Sequence, residues 1–170
     1  MSEINYKKLK NFNSLFNGLS DKELKLVSDI VKRKEVKTGS IIINEGDTGN
    51  ELFLLDEGTV DIHKTLTFVT SKHELGTKER SFIRLSGEDH CFFGEMALFG
   101  SGKRSATVNA VTKCQLLVIE GDDFLKLCDD HPKIGYIVVT NIALILSDYL
   151  RKTNDDVIKL TTALSLALSG

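Results

Sequence analysis

Apolar positions change their period along this chain, and the changes mark its elements. Over residues 5–31, Leu9, Phe12, Leu15, Phe16 and Leu19 recur at helical spacing. Ser20 then opens a second helical segment, with Glu23 completing a capping box and Leu24, Val27, Ile30 and Val31 forming the apolar face. From Lys32 the texture turns to short β runs broken by glycine. Ile41-Ile42-Ile43 precedes Glu45-Gly46-Asp47, Glu51-Leu52-Phe53-Leu54-Leu55 runs to Glu57-Gly58, and Thr59-Val60-Asp61-Ile62-His63 alternates with period two. Thr65–Val69 and Ser81–Leu85 read as strand, separated by a polar stretch, residues 71–80, read as a solvated hairpin tip. Gln115–Ile119 closes the β part. Many short strands with regular turns predict a sandwich, jelly roll or barrel. A short helix starts near Gly121. Pro132, the only proline, suits the first turn of a long last helix with Val138, Ile142, Ile145, Tyr149, Thr153, Val157, Leu160 and Leu164 at steps of three or four. More than one face of that helix is apolar, so one is expected on the barrel and another on a second subunit.

Composition narrows the class. The 170 residues suit one domain, and a net charge of −2 supplies no field for DNA or acidic lipid. Cys91, Cys114 and Cys128 are an odd set with no paired motif, and the polar start carries no signal sequence, so a reduced, cytoplasmic setting is expected. Ile134 to Leu150 is short for a membrane span and contains Asn141, Ser147 and Asp148. His63, His73, His90 and His131 are scattered, so no metal site, no cofactor and no jelly-roll metalloenzyme is expected.

One stretch concentrates the chemistry. Phe93-Gly94-Glu95-Met96-Ala97-Leu98 is followed, after a glycine-rich turn, by Lys103-Arg104-Ser105-Ala106-Thr107-Val108. Small residues let backbone N–H groups approach a ligand, and a short helical turn at Ala97 points free N–H groups at an anion. Arg104 adds a planar, permanently charged fork for phosphate oxygens. Glu95 repels phosphate but accepts a hydrogen bond from a sugar hydroxyl. Acid and arginine at the two ends describe a nucleotide pocket. Spacing alone favours the plainer reading, a structural Glu–Arg pair on a hairpin with the glycines serving only turns.

The two blocks together resemble the phosphate-binding cassette of cyclic nucleotide-binding domains, the module of catabolite activator proteins, cyclic-nucleotide-dependent kinases and cyclic-nucleotide-gated channels. The match runs through Phe93, Gly94, Glu95, Met96, Ala97, Leu98, Arg104, Ser105, Ala106 and Thr107. Gly39, Gly46 and Gly58 extend the likeness over roughly residues 15 to 150. The resemblance implies a double-stranded β-helix (jelly-roll) barrel with N-terminal helices (1–31), a β part (32–120) holding the cassette at 93–108, and C-terminal helices (121–170), all one domain.

It further implies a non-enzymatic sensor. Gly94, Glu95, Met96, Ala97, Arg104, Ser105 and Ala106 would bind the ligand. Leu54, Leu85 or Met96, and Tyr149, Arg151, Lys152 or Thr153 from the last helix, would meet the base. Ser105 follows the arginine where cyclic-GMP binders carry threonine, which favours cyclic AMP over cyclic GMP. The segment from Gly87 to Phe93 is longer than the usual approach to the cassette and is expected to bulge. No Lys or Arg follows Lys159 in this sequence, so direct DNA binding is not expected. The expectation is either a sensor that signals to an unknown protein partner or, through a homodimer, a second subunit, or a piece of a longer protein. The alternative is a jelly roll that has lost the ligand and serves as an interaction module.

Overall fold

The computed structural model describes residues 4–69, 75–99 and 102–168. A 3-10 helix (Tyr6–Asn11) leads into α1 (Asn13–Phe16) and α2 (Asp21–Asp29). The two expected helical segments are present, with Gly18 at φ 93° between them, but the first is itself divided at Phe12, and Val31 of the second already belongs to the first strand. The capping box is present: the Ser20 hydroxyl accepts from the Glu23 N–H, and the Glu23 carboxylate accepts from the Ser20 N–H at 2.7 Å.

Among the described residues eight strands follow: β1 (Val31–Val36), β2 (Ile41–Ile43), β3 (Leu52–Glu57), β4 (Thr59–Val69), β5 (Leu75–Ser86), β6 (Phe92–Phe93), β7 (Thr107–Ala110) and β8 (Cys114–Ile119). They form two four-stranded sheets, ordered β1-β8-β3-β6 and β2-β7-β4-β5, with antiparallel pairing throughout. This is the jelly-roll class expected from the resemblance. Between β6 and β7 stands the one-turn helix α3 (Met96–Phe99), and α4 (Gly121–Asp130) and α5 (Pro132–Leu168) close the chain.

Two apolar cores explain the strand patterns. Phe53, Leu55, Val60, Phe93, Val108, Leu116 and Val118 meet between the sheets. Leu52, Leu54, Leu117 and Ile119 point to the other side of the first sheet. There they pack with Leu9, Phe12, Leu15, Val27, Phe124, Ile134, Val138 and Ile142 of the helices. Because β3 and β8 are covered on both faces, their sequences are continuous apolar runs rather than alternating ones. Each fully buried Leu or Ile stabilises by roughly 1.5–3 kcal/mol. Leu54 lies in this helical core, on the far side of its sheet from the β-barrel interior, and so is not a base contact.

One loop expectation is corrected. Leu75–Arg80, read as hairpin tip, is strand: the β4–β5 ladder runs from Thr59↔Ser86 to Val69↔Leu75. Backbone pairing, indifferent to side-chain polarity, decides there; the remainder of that stretch, 71–74, lies outside the described residues. The long approach to the cassette is a 3-10 turn, Gly87–Asp89, followed by His90 in the left-handed region at φ 47°. Gly39, Gly46 and Gly58 occupy turns with φ of 79°, 86° and 97°.

The last helix is longer than its apolar core suggested. Ile134, Val138 and Ile142 are buried, Asn141 Nδ2 donates to the carbonyls of Leu15 (2.9 Å) and Asn17 (3.0 Å), and every residue from 147 to 168 is exposed. By length and composition this helix is able to cross a membrane, which is weak evidence of a span.

Candidate functional site

Residues 94–99 and 102–106 are fixed beside the turn at residues 46–51 by the conformation of Gly94 and by a set of hydrogen bonds. Gly94 takes φ 89°, a conformation costly for any residue with a Cβ, and an added Cβ would stand 2.8 Å from the Glu51 carbonyl oxygen. On the other side, Lys103 bridges Thr48, the Arg104 N–H donates to the Asp47 carbonyl (2.9 Å), and the Gly46 N–H donates to the Arg104 carbonyl (2.9 Å). The Ser105 hydroxyl donates to the Met96 sulfur at 3.5 Å, tying the second half to the first.

These segments enclose a cavity of about 250 Å³. Its floor and walls are Ile43, Ile62, Ile83, Leu85, Phe92, Phe93 and Val108; its polar end holds Gly94, Glu95, Met96, Lys103, Arg104, Ser105 and Ala106; Tyr149 of α5 closes the rim. Thus Gly94, Glu95, Met96, Arg104, Ser105, Ala106, Leu85 and Tyr149 are gathered at one cavity, from positions up to 64 residues apart in the chain. Ala97 stands in the first turn of α3. Arg151 and Lys152 do not line the cavity. They lie where α5 has left the barrel, and Arg151 pairs instead with Asp148 at 2.6 Å. The Thr153 hydroxyl likewise turns to its own helix, donating to the Tyr149 carbonyl at 2.8 Å.

The electrostatics are uneven. Arg104 is only 7% exposed. One Nη donates to the Glu51 carboxylate; the other donates to the Glu51 carbonyl at 2.9 Å and leans toward the Gly94 carbonyl at 3.4 Å. The guanidinium also stands over the Phe53 ring at 5.6 Å, and Phe53 stacks on Phe93. Glu51 was missed by sequence reading: it sits at the start of a strand, far from the cassette in sequence, and only the fold brings it to Arg104. Lys103, which opens the second block of the cassette, was given no role there although it lines the cavity. Glu95 pairs with no cation among the described residues, and burial pushes its carboxyl above the usual range. Tyr149 is 57% exposed, but desolvation of the part of its side chain that faces the cavity, then the negative charges of Glu95 and Cys91, raise its phenol. Among the described residues no cluster of His, Cys, Asp or Glu is placed to hold a metal ion.

The family model for the cyclic nucleotide-binding domain matches residues 33–131, which include the whole cassette and most of both sheets. The chain belongs to the cyclic nucleotide-binding domain family. It is 32% identical over 140 residues to the cyclic AMP receptor protein of Thermus thermophilus, spanning 82% of this chain and 58% of that protein. The crystal structure of the Thermus thermophilus catabolite activator protein superposes with a TM-score of 0.72 at 31% identity, over 87% of this chain and 63% of that one. The regulatory domain of Toxoplasma gondii PKA, solved with cAMP, gives 0.60 at 27% identity, over 75% of this chain and 46% of that one. This chain therefore spans little more than half of its receptor relative's length, and in its fold it is a regulatory-type cyclic nucleotide-binding domain with a long final helix.

Proposed function

We propose that this domain is a sensor that binds a cyclic purine mononucleotide, cyclic AMP in preference to cyclic GMP, and relays occupancy through α5. The carrying observation is the convergence of both cassette halves and Tyr149 on one cavity that is polar at one end and apolar at the other. Its volume of about 250 Å³ lies just under the roughly 300–1,000 Å³ typical of small-molecule sites, a scale suited to a mononucleotide. Arg104 and the N–H groups of Ala97 and Ser105 take the cyclic phosphate. Glu95 accepts from the ribose 2′-hydroxyl, with the Gly94 main chain beside the sugar. Leu85, Met96 and Tyr149 flank the base. The names of the two cyclic-AMP relatives support the adenine preference, as does Ser105 in place of threonine.

A ligand that touches both the cassette and Tyr149 stabilises the arrangement in which they are close, by as much as its affinity differs between arrangements. The exposed apolar residues Leu150, Val157, Leu160 and Leu164 of α5 are the surface for a partner protein or a second copy. In this reading the domain is not an enzyme, needs no metal, and works in the cytoplasm as one unit over 1–170. It does not contact nucleic acid directly or span a membrane, since α5 packs Ile134, Val138 and Ile142 into the helical core.

One observation favours a second reading. Arg104 is already satisfied by Glu51, as in a domain that has given up its ligand for an interaction role. Calorimetric titration with cyclic AMP and cyclic GMP decides between them. Saturable binding, tighter for cyclic AMP, supports the sensor; no binding of either at millimolar concentration overturns it in favour of the interaction module.

A further inference from the structure

We infer that Lys103, not Arg104 alone, supplies the net positive charge that draws and holds the ligand's phosphate. This rests on the binding reading above and extends it to a residue outside the expected set. The argument is one of charge balance. Arg104 enters the cavity wall already compensated: its guanidinium engages the Glu51 carboxylate and two main-chain carbonyls, and the side chain is 6% exposed. As a pair, Arg104 and Glu51 are neutral. Glu95 adds a carboxyl to the same cavity. A monoanionic cyclic phosphate thus meets a polar end with no net positive charge unless another cation is present.

Lys103 is that cation. It lines the cavity, its side chain is exposed, and it makes no ion pair or side-chain hydrogen bond among the described residues. Its backbone is held against Thr48 in an isolated β-bridge, while the Gly49 N–H donates to the Gly102 carbonyl at 2.9 Å. The flexible ammonium therefore starts from an anchored Cα beside the Arg104 backbone, and a lysine can reach a phosphate oxygen as a mobile point charge without surrendering a protein partner. Arg104 orients the phosphate through its fork, and Lys103 neutralises it.

The two roles respond differently to salt. An exposed ammonium is screened over about 10 Å at 0.1 M ionic strength, whereas the buried guanidinium is screened much less. The test is titration of cyclic AMP into the wild type, Lys103→Gln and Lys103→Arg at low salt and at several hundred millimolar salt. Melting curves check that each variant is folded, which the exposed position leads us to expect. Lys103→Gln should raise Kd by about 5-fold at low salt, the scale of one partly exposed charge contact. That gap should close at high salt, and Lys103→Arg should retain wild-type affinity. Wild-type binding with an unchanged Kd in Lys103→Gln overturns the role of Lys103 and leaves the sensor reading standing. So does a loss that is equal at both salt concentrations, or equal in Lys103→Arg, because those mark packing rather than charge. A wild type that binds neither cyclic nucleotide overturns the sensor reading and this inference with it.

Discussion

Removing Arg104 should weaken the fold itself before any ligand is added. The guanidinium is 7% exposed, donates to the Glu51 carboxylate and to the Glu51 carbonyl at 2.9 Å, and covers the Phe53 ring at 5.6 Å. Arg104→Ala leaves a buried carbonyl without its donor and a half-buried carboxylate without its cation. Hydrogen bonds to charged groups contribute about 1.5–3 kcal/mol, and the ring contact about 0.5–1 kcal/mol. Water reaching Glu51 offsets part of this, so the expected cost is about 2–3 kcal/mol, or roughly 4–12 °C in Tm for a chain of this size. Arg104→Lys should recover less than half, since an ammonium cannot reproduce the two-pronged contact. The chain contains its own control. Arg84 forms a two-pronged pair with Asp61 at 2.7 and 2.8 Å, but its side chain is 65% exposed, and Arg84→Ala should cost no more than about 1 kcal/mol. Thermal and urea denaturation of the ligand-free proteins provide the assay. If Arg104→Ala melts with Arg84→Ala, within a degree or two of the wild type, the guanidinium is not anchored as described. The practical consequence is that loss of binding in Arg104→Ala must be measured well below its lowered Tm.

Three further outcomes are expected. Gly94→Ala forces a Cβ to within 3.0 Å of the Arg104 guanidinium and into a positive φ, so it should lose about 1–3 kcal/mol in denaturant unfolding; an unchanged midpoint would contradict the described turn. The Glu23 carboxyl is held at about 2, against an ordinary 4.5, by the Ser20 hydroxyl, the Lys133 ammonium and the Ser20 N–H. Because its folded value is depressed, its stabilising effect is present above pH 4.5 and is lost as pH falls toward 2. The stability difference between wild type and Glu23→Gln should therefore shrink across that acid window, and a constant difference would refute the assignment. Asn141→Leu removes the donor shared by the Leu15 and Asn17 carbonyls and should cost about 1–3 kcal/mol, with faster hydrogen exchange in α1; unchanged exchange would show that this clamp does not hold α5 to the N-terminal helices.

Local chemistry was legible wherever it depends on neighbours in sequence. The Ser20–Glu23 capping box and the turn glycines at 39, 46 and 58 follow from backbone needs that a few adjacent residues decide. The cassette was legible for a related reason: an anion cradle needs its glycine, small residues and arginine close together along the chain. Reading failed where long-range pairing took over. The polar residues 75–80 form strand because β4 offers them a ladder, the first N-terminal helical segment divides at Phe12, and the second gives up Val31 to β1, which pairs with β8.

The cavity shows the same division. The sequence by itself determined the jelly-roll class, the long final helix and the identity of the polar end, from Gly94 to Ala106. It could not show that Glu51 neutralises Arg104, that Lys103 lines the cavity with no ion-pair partner among the described residues, or that of the candidates on α5 Tyr149 faces the cavity while Arg151 and Lys152 stand clear of it. Those facts depend on how β3, the turn at residues 46–49 and α5 are carried together in space. Charge compensation and burial fall off with distance through space, and residues 51 and 104 become neighbours only once both sheets have closed.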